Sequence, residues 1–138
     1  MGERPARWKV AAVLGLHGLV VWGLCGATIA VGRAFLPMQT TLVVHAVVAP
    51  LVAAGASLHY SARFGYTGPL ATATFFLSFV VVVDFLLVAL VLERSLDMFR
   101  SALGTWIPFA SIFAAAFAAG AWRRSRTRPA QRAGAAIR

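Results

Sequence analysis

Charged residues are scarce in this sequence: 12% of its 138 residues are Asp, Glu, Lys or Arg, whereas 60% are hydrophobic. A soluble domain has about 25% charged residues, so the composition argues against a soluble globular protein. Cysteine is almost absent, and the single Cys25 excludes an internal disulfide framework or a cluster of thiolate metal ligands. The length leaves room for one domain. The class that remains is a small membrane protein.

Four long apolar stretches account for most of the chain. Each is close to the ~20 residues that a helix needs to cross a hydrocarbon core of about 30 Å. The first is longer than the apolar region of a secretory signal peptide and no small-residue cleavage site follows it, so it is predicted to be a span. We therefore predict an all-α membrane protein, a four-transmembrane-helix bundle with antiparallel up-down order, in which residues 1–138 form one integral membrane domain. The predicted spans are residues 10–32, 41–60, 70–92 and 106–122.

The net charge of +9 is concentrated near the two ends of the chain. Ten cations would share one side of the membrane, against three on the other, which predicts that both termini are cytoplasmic in a cell (inner or plasma) membrane and that residues 123–138 are a basic cytoplasmic tail. Membrane lipids are then the nearest partners, and no nucleic acid is predicted because the tail after Trp122 has no aromatic residue among its arginines. The ten are Arg4, Arg7, Lys9, Arg63, Arg123, Arg124, Arg126, Arg128, Arg132 and Arg138, and the three are Arg33, Arg94 and Arg100.

Asp84 is the most informative residue, because it lies inside the third predicted span with only apolar residues three and four positions away. A carboxylate at that depth costs about 2.5–3.5 kcal/mol even on an insertion scale that is lenient toward charge. The side chain must therefore face the bundle, find a partner, be protonated or line a wet cavity. A proton- or cation-handling site and a buried hydrogen-bond anchor between helices are both open.

Helix arithmetic places two other polar side chains near the level of Asp84. At 1.5 Å per residue, Asp84 lies about 12 Å below the outer surface, Cys25 about 10 Å and His45 about 6 Å. Pro50 has no N–H, so the carbonyl of Ala46 loses its helical partner in the same layer. We expect Asp84, His45 and Cys25 to form a polar site in the outer leaflet, with hydrogen bonds from Asp84 to His45, to that carbonyl or to water. No metal site is predicted, since these three residues have no local ligand spacing.

The histidines allow a second hypothesis. His45 and His59 are 14 residues apart, which puts them on one helical face about 21 Å apart. This spacing resembles the ligand pairs of membrane b-type cytochromes, and the resemblance covers only these two residues. It implies that one b-type haem could bind between His17 and His59, although their estimated depths differ by about 9 Å. The alternative is that His59 reaches the inner interface beside Tyr60 and His17 bonds within the bundle.

Three classes of function stay open. We favour a transport-type or accessory membrane subunit with a proton-, cation- or solute-handling layer around Asp84, paired with another copy or with a partner membrane subunit because four spans enclose a narrow path. The alternatives are a redox subunit with one haem and a small lipid enzyme with Asp84 and His45 as acid and base. The enzyme has no nucleophile or cofactor motif, so no catalytic residue is predicted. Length and span number resemble the small multidrug transporters, but those carry a glutamate at the centre of the first span, where this chain has no acid.

Overall fold

The computed structural model describes residues 5–136, with side chains described as far as Thr127. Arg4 and Arg138 of the predicted basic ends lie outside the described residues, as do the side chains of Arg128 and Arg132. The described part consists of helices joined by short turns and contains no β-strand. The four α-helices are α1 (Arg7–Phe35), α2 (Met38–Arg63), α3 (Pro69–Val83) and α4 (Ile107–Ala136).

Four helical segments are long and apolar enough to cross a membrane, which confirms the prediction of an all-helical chain with four such stretches. The third and fourth segments also include wider helical turns. The third therefore continues after the end of α3, and the fourth starts before the beginning of α4. Each predicted span falls inside one of these segments. The segments are Arg7–Phe35, Met38–Arg63, Pro69–Glu93 and Ala102–Thr127.

Proline and glycine set the boundary between α2 and α3. The amides of Phe64 and Gly65 both donate to the carbonyl of Tyr60, at 2.9 and 3.0 Å, and close the end of α2. Gly65 has a φ of +57°, a left-handed conformation that glycine adopts at little cost after a helix. Pro69 is the first residue of α3, where its missing N–H removes no helical hydrogen bond.

The third span changes its winding in the middle, which the sequence did not predict. It is α-helical to Val83 and continues as a wider π-helix over Asp84–Glu93. The change follows four consecutive valines, whose branched side chains fit an α-helix less well than straight ones. The segment ends at Arg94, which has a φ of +51°. A 3₁₀ turn over Asp97–Arg100 and a π turn over Ala102–Trp106 then lead into α4.

The most extensive contact joins α2 to α4, and α1 packs mainly on α2. Small residues make the first of these contacts possible. The hydroxyl of Ser57, fully buried, donates to the carbonyl of Ala116 at 2.7 Å. A Cβ atom on Gly120 would lie 3.2 Å from Ser57 Oγ and from Pro69 Cβ, so the glycine lets α4 approach both neighbours. Close approach through small residues is how membrane helices associate where apolar burial gives no driving force.

Candidate functional site

A cavity of about 360 Å³ runs from one end of the bundle into its interior, and residues of all four helical segments line it. All three residues of the predicted polar site, Cys25, His45 and Asp84, are on its wall. The rest of the wall is largely apolar, with Val80 and Val88 from the third span among its members. The structure therefore brings the three predicted residues to one space, although they come from three different helices.

Asp84 accepts a hydrogen bond from an indole that the sequence analysis did not assign to the site. The Nε1–H group of Trp22, on α1, donates to Asp84 Oδ1 at a distance of 2.8 Å. Among the described residues, the carboxylate makes this one hydrogen bond. The bonds that were expected, to His45 or to the carbonyl of Ala46, are not formed. A tryptophan inside an apolar span needs an acceptor for its N–H group. This requirement is the feature of the sequence that could have predicted Trp22 as a partner of Asp84.

The position of Asp84 coincides with the change in helix winding. It is the first residue of the π-helical segment and is half-buried. The hydrogen bonds of a π-helix span five residues instead of four, which rotates the side chains that follow relative to those of α3, so Asp84 lies where the two registers meet. Wide helical turns of this kind occur frequently at functional sites.

His45 contributes a buried polar atom without a partner. The side chain is 5% exposed, and its Nδ1 atom makes no hydrogen bond to any described residue. A buried polar atom left unpaired costs about 1–3 kcal/mol, and most such atoms in folded proteins are satisfied by protein or water. His45 lines the same cavity as Asp84, but its Nδ1 atom is itself inaccessible to solvent, so a water molecule or a ligand in the cavity can reach it only after a movement of the side chain.

The third predicted member, Cys25, is a free and buried thiol that is 5% exposed. It lies one turn along α1 from Trp22, on the cavity wall. The cavity residues of the described chain include no group of three side chains that could hold a metal ion. Cys25 is a small residue of the cavity wall, which Asp84 also lines.

The cavity opens toward the end of the bundle where α1 and the π-helical segment finish. Arg33 and Glu93 lie on its wall there, with 3.8 Å between Arg33 Nη1 and Glu93 Oε1. Both side chains are about half exposed, at 54% and 50%. An ion pair with this exposure contributes little stability, so it can separate at small cost. The path from the surface to Asp84 therefore begins between two opposite charges.

The two proposed haem ligands lie together at the other half of the bundle. Nε2 of His17 is 3.0 Å from Nδ1 of His59, and the rings are stacked with centroids 5.3 Å apart. The estimated difference of 9 Å in depth was wrong because it assumed that the start of α1 and the end of α2 lie at the same level. In the structure α1 begins ten residues before His17, whereas α2 ends four residues after His59, so the two ends are offset.

This arrangement of the histidines does not favour a haem between them. Nδ1 of His17 is 2.8 Å from the carbonyl of Val13 and therefore donates its proton there. In a neutral pair, Nε2 of His17 then accepts the proton of His59 Nδ1, so each ring already serves as the partner of the other. Axial ligands face a haem from opposite sides, and a porphyrin would have to separate the rings entirely.

Comparison of the chain with protein-family models, with curated proteins and with solved structures finds no match.

Proposed function

We propose that this chain is a small multi-pass membrane protein, of transport type or an accessory membrane subunit, whose cavity around Asp84 handles protons or small cations. The observation that carries the proposal is the position of Asp84 on the wall of a cavity that reaches the bundle surface at Arg33 and Glu93. A carboxylate inside a membrane span is costly, and such residues commonly mark ion and proton paths.

The hydrogen bonding of Asp84 supports a functional role beside a structural one. A carboxylate can accept about four hydrogen bonds, and the indole of Trp22 supplies one of them. The remaining capacity belongs to a residue on the cavity wall, which the imidazole of His45 also lines. A proton, a hydrated cation or a small hydrogen-bonding solute in the cavity would satisfy the carboxylate. A purely structural anchor would not require the open space beside it.

We propose an antiparallel up-down bundle with both termini in the cytoplasm of a prokaryotic-type inner membrane or a plasma membrane. The distribution of ten and three cations supports the orientation. Two contacts support the helix order: His17 meets His59 near one end of α1 and α2, and Gly32 lies against Thr41 near the other. In this orientation the mouth of the cavity faces the outside.

We further propose that the functional unit contains more than one chain, as a homo-oligomer or with a partner membrane subunit. Many large apolar side chains are exposed on every helix, and lipid or a neighbouring chain must cover them. The cavity reaches Asp84 from one end of the bundle only. A continuous path across the membrane therefore needs a second set of helices.

The proposal is tested by ion flux through the full chain reconstituted in lipid vesicles that contain a fluorescent indicator of protons, sodium or potassium. We expect a flux above that of empty vesicles under an imposed gradient, and a loss of tenfold or more in Asp84→Asn, which keeps the size and the acceptor for Trp22 but removes the titratable group. Asp97→Asn is the matched control because Asp97 is exposed and lies outside the cavity. Equal flux in the two variants would contradict the assignment.

A further inference from the structure

A second polar cavity lies at the end of the bundle away from the mouth of the Asp84 cavity. It measures about 240 Å³ and is formed by the last turn of α2, the loop between α2 and α3, and one face of α4. Hydroxyl groups and guanidinium groups dominate its wall: the side chains that matter here are Ser61, Thr67, Arg123, Arg124 and Thr127. Nothing in the proposed function uses this cavity.

The α4 side of this cavity is a single helical face. Gly120, Arg123, Arg124 and Thr127 follow at steps of three and four residues, so they point in one direction. The contact between Gly120 and Pro69 brings this face against the loop. As a result, Nη1 of Arg124 lies 3.3 Å from the position that a Cβ atom would take on Gly68.

The loop side of the cavity is fixed by a chain of hydroxyl groups. The hydroxyl of Tyr60, a fully buried residue, lies 3.0 Å from Thr67 Oγ1, which lies 2.8 Å from Thr72 Oγ1. Thr72 in turn donates to the carbonyl of Gly68 at 3.1 Å. The loop therefore holds its shape opposite the two arginines.

The two guanidinium groups have no negative partner in the described part of the chain. Its three carboxylates contact other groups: Asp84 bonds to Trp22, Glu93 pairs with Arg33, and Asp97 pairs with Arg100. We propose that the cavity binds a phosphate group, as the headgroup of an anionic phospholipid at the membrane surface or as free phosphate. The planar guanidinium offers parallel N–H donors that match phosphate oxygens, and Ser61 supplies a hydroxyl group beside them. The hydroxyl of Thr67 donates to Thr72, so its role is to fix the loop.

The position of the site favours the phospholipid. Arg123 and Arg124 directly follow Trp122, at the level where α4 leaves the apolar part of its span, and Trp is typical of the interface between membrane and water. The proposal does not depend on the assignment of Asp84, since the two cavities share no residue.

The test measures the retention of phospholipid by the full purified chain in a non-ionic detergent, by native mass spectrometry during titration with phosphatidylglycerol. A parallel titration with inorganic phosphate distinguishes the two sources. Arg126→Gln is the matched control: it removes the same charge from the same helix, but the Arg126 guanidinium lies over the Trp122 ring, 4.7 Å from its centroid, and outside the cavity.

We expect Arg123→Gln and Arg124→Gln each to weaken binding tenfold or more, with Arg126→Gln within about twofold of the wild type. Arg124→Lys should restore only part of the affinity, because lysine keeps the charge without the fork of donors. Binding of phosphatidylglycerol without binding of inorganic phosphate identifies the lipid, and the reverse identifies free phosphate. An equal loss in all three glutamine variants would show diffuse attraction to basic residues and overturn the site, as would the absence of both kinds of binding. Unchanged reactivity of the buried Cys25 thiol verifies that each variant is folded.

Discussion

The hydrogen bond between Trp22 and Asp84 is the interaction whose removal tests the Asp84 site most directly. Trp22→Phe deletes the donor and keeps an aromatic side chain in place. Asp84 then stays half-buried inside a membrane span without the one hydrogen bond that it makes to described residues. We therefore expect Trp22→Phe to destabilise the protein.

The magnitude follows from the charge of the acceptor. A hydrogen bond to a charged group contributes about 1.5–3 kcal/mol, and one between neutral groups about 0.5–1.5 kcal/mol. The smaller ring of phenylalanine also loses packing, so the single variant combines two effects. Repeating the substitution in an Asp84→Asn background separates them, because the packing loss is the same in both backgrounds. The coupling free energy should then be about 1 kcal/mol.

The chain supplies its own reporter for this measurement. Cys25 is the only cysteine in the sequence and is 5% exposed, so a fluorogenic thiol reagent reacts with it when the bundle opens. Labelling as a function of a denaturing detergent gives the free energy of unfolding for the wild type, for Trp22→Phe, for Asp84→Asn and for the double variant. The cysteine lies one helical turn from Trp22, so a local opening at the site would also be detected.

A coupling free energy within about 0.3 kcal/mol of zero would refute the reasoning, because that is the additivity expected of residues that do not interact. Asp84→Leu adds a further discrimination. If the carboxylate serves only to anchor the helices, the leucine variant loses stability with the hydrogen bond. If the carboxylate is retained for ion handling, the leucine variant gains stability and loses flux, as expected where a functional group is costly to the fold.

Three further predictions address the rest of the molecule. Reporter fusions should be cytoplasmic at Phe64 and Arg138 and exported at Gln39, and the opposite result at either of the last two positions would contradict the orientation. Protein purified after expression with haem supplied should show no Soret band, because His17 and His59 bond to each other. A Soret band in the visible absorption spectrum of the purified protein would overturn that reasoning. Ser57→Ala should lower the free energy of unfolding by about 0.6–1.7 kcal/mol, since it removes the bond to the carbonyl of Ala116, and an unchanged labelling curve would contradict a role for that bond in joining α2 to α4.

The sequence predicted the helical architecture well because a single physical requirement determines it. A backbone that crosses lipid must satisfy its own hydrogen bonds, so long apolar stretches become helices. Pro69 and Gly65 also carry local information, since each has a conformational preference that suits its place at a helix boundary. The convergence of Cys25, His45 and Asp84 on one cavity could likewise be anticipated from depth alone.

The partner of Asp84 could not be predicted in the same way. Depth arithmetic orders residues along the membrane normal but says nothing of rotation about each helix axis, and the choice between Trp22 and His45 is a matter of rotation. The widening of the helix at Asp84 adds to the difficulty, because it changes the direction of every side chain after Val83. For His17 and His59 the missing information was the relative height of α1 and α2, which the apolar stretches do not define.

The distribution of packing explains why the acid can lie in the third span. The contact between α2 and α4 is the most extensive in the fold, and Ser57, Ala116 and Gly120 are among the small residues that make it. The π-helical segment over Asp84–Glu93, by contrast, has one buried residue, Ala89. Segments with few buried contacts open at the lowest free energy, so a change in winding or position there disturbs the rest of the bundle least. Asp84 is the first residue of this segment and is joined to α1 by the hydrogen bond from Trp22. The costly carboxylate is therefore placed where its hydration can change without loss of the core that holds α2 and α4 together.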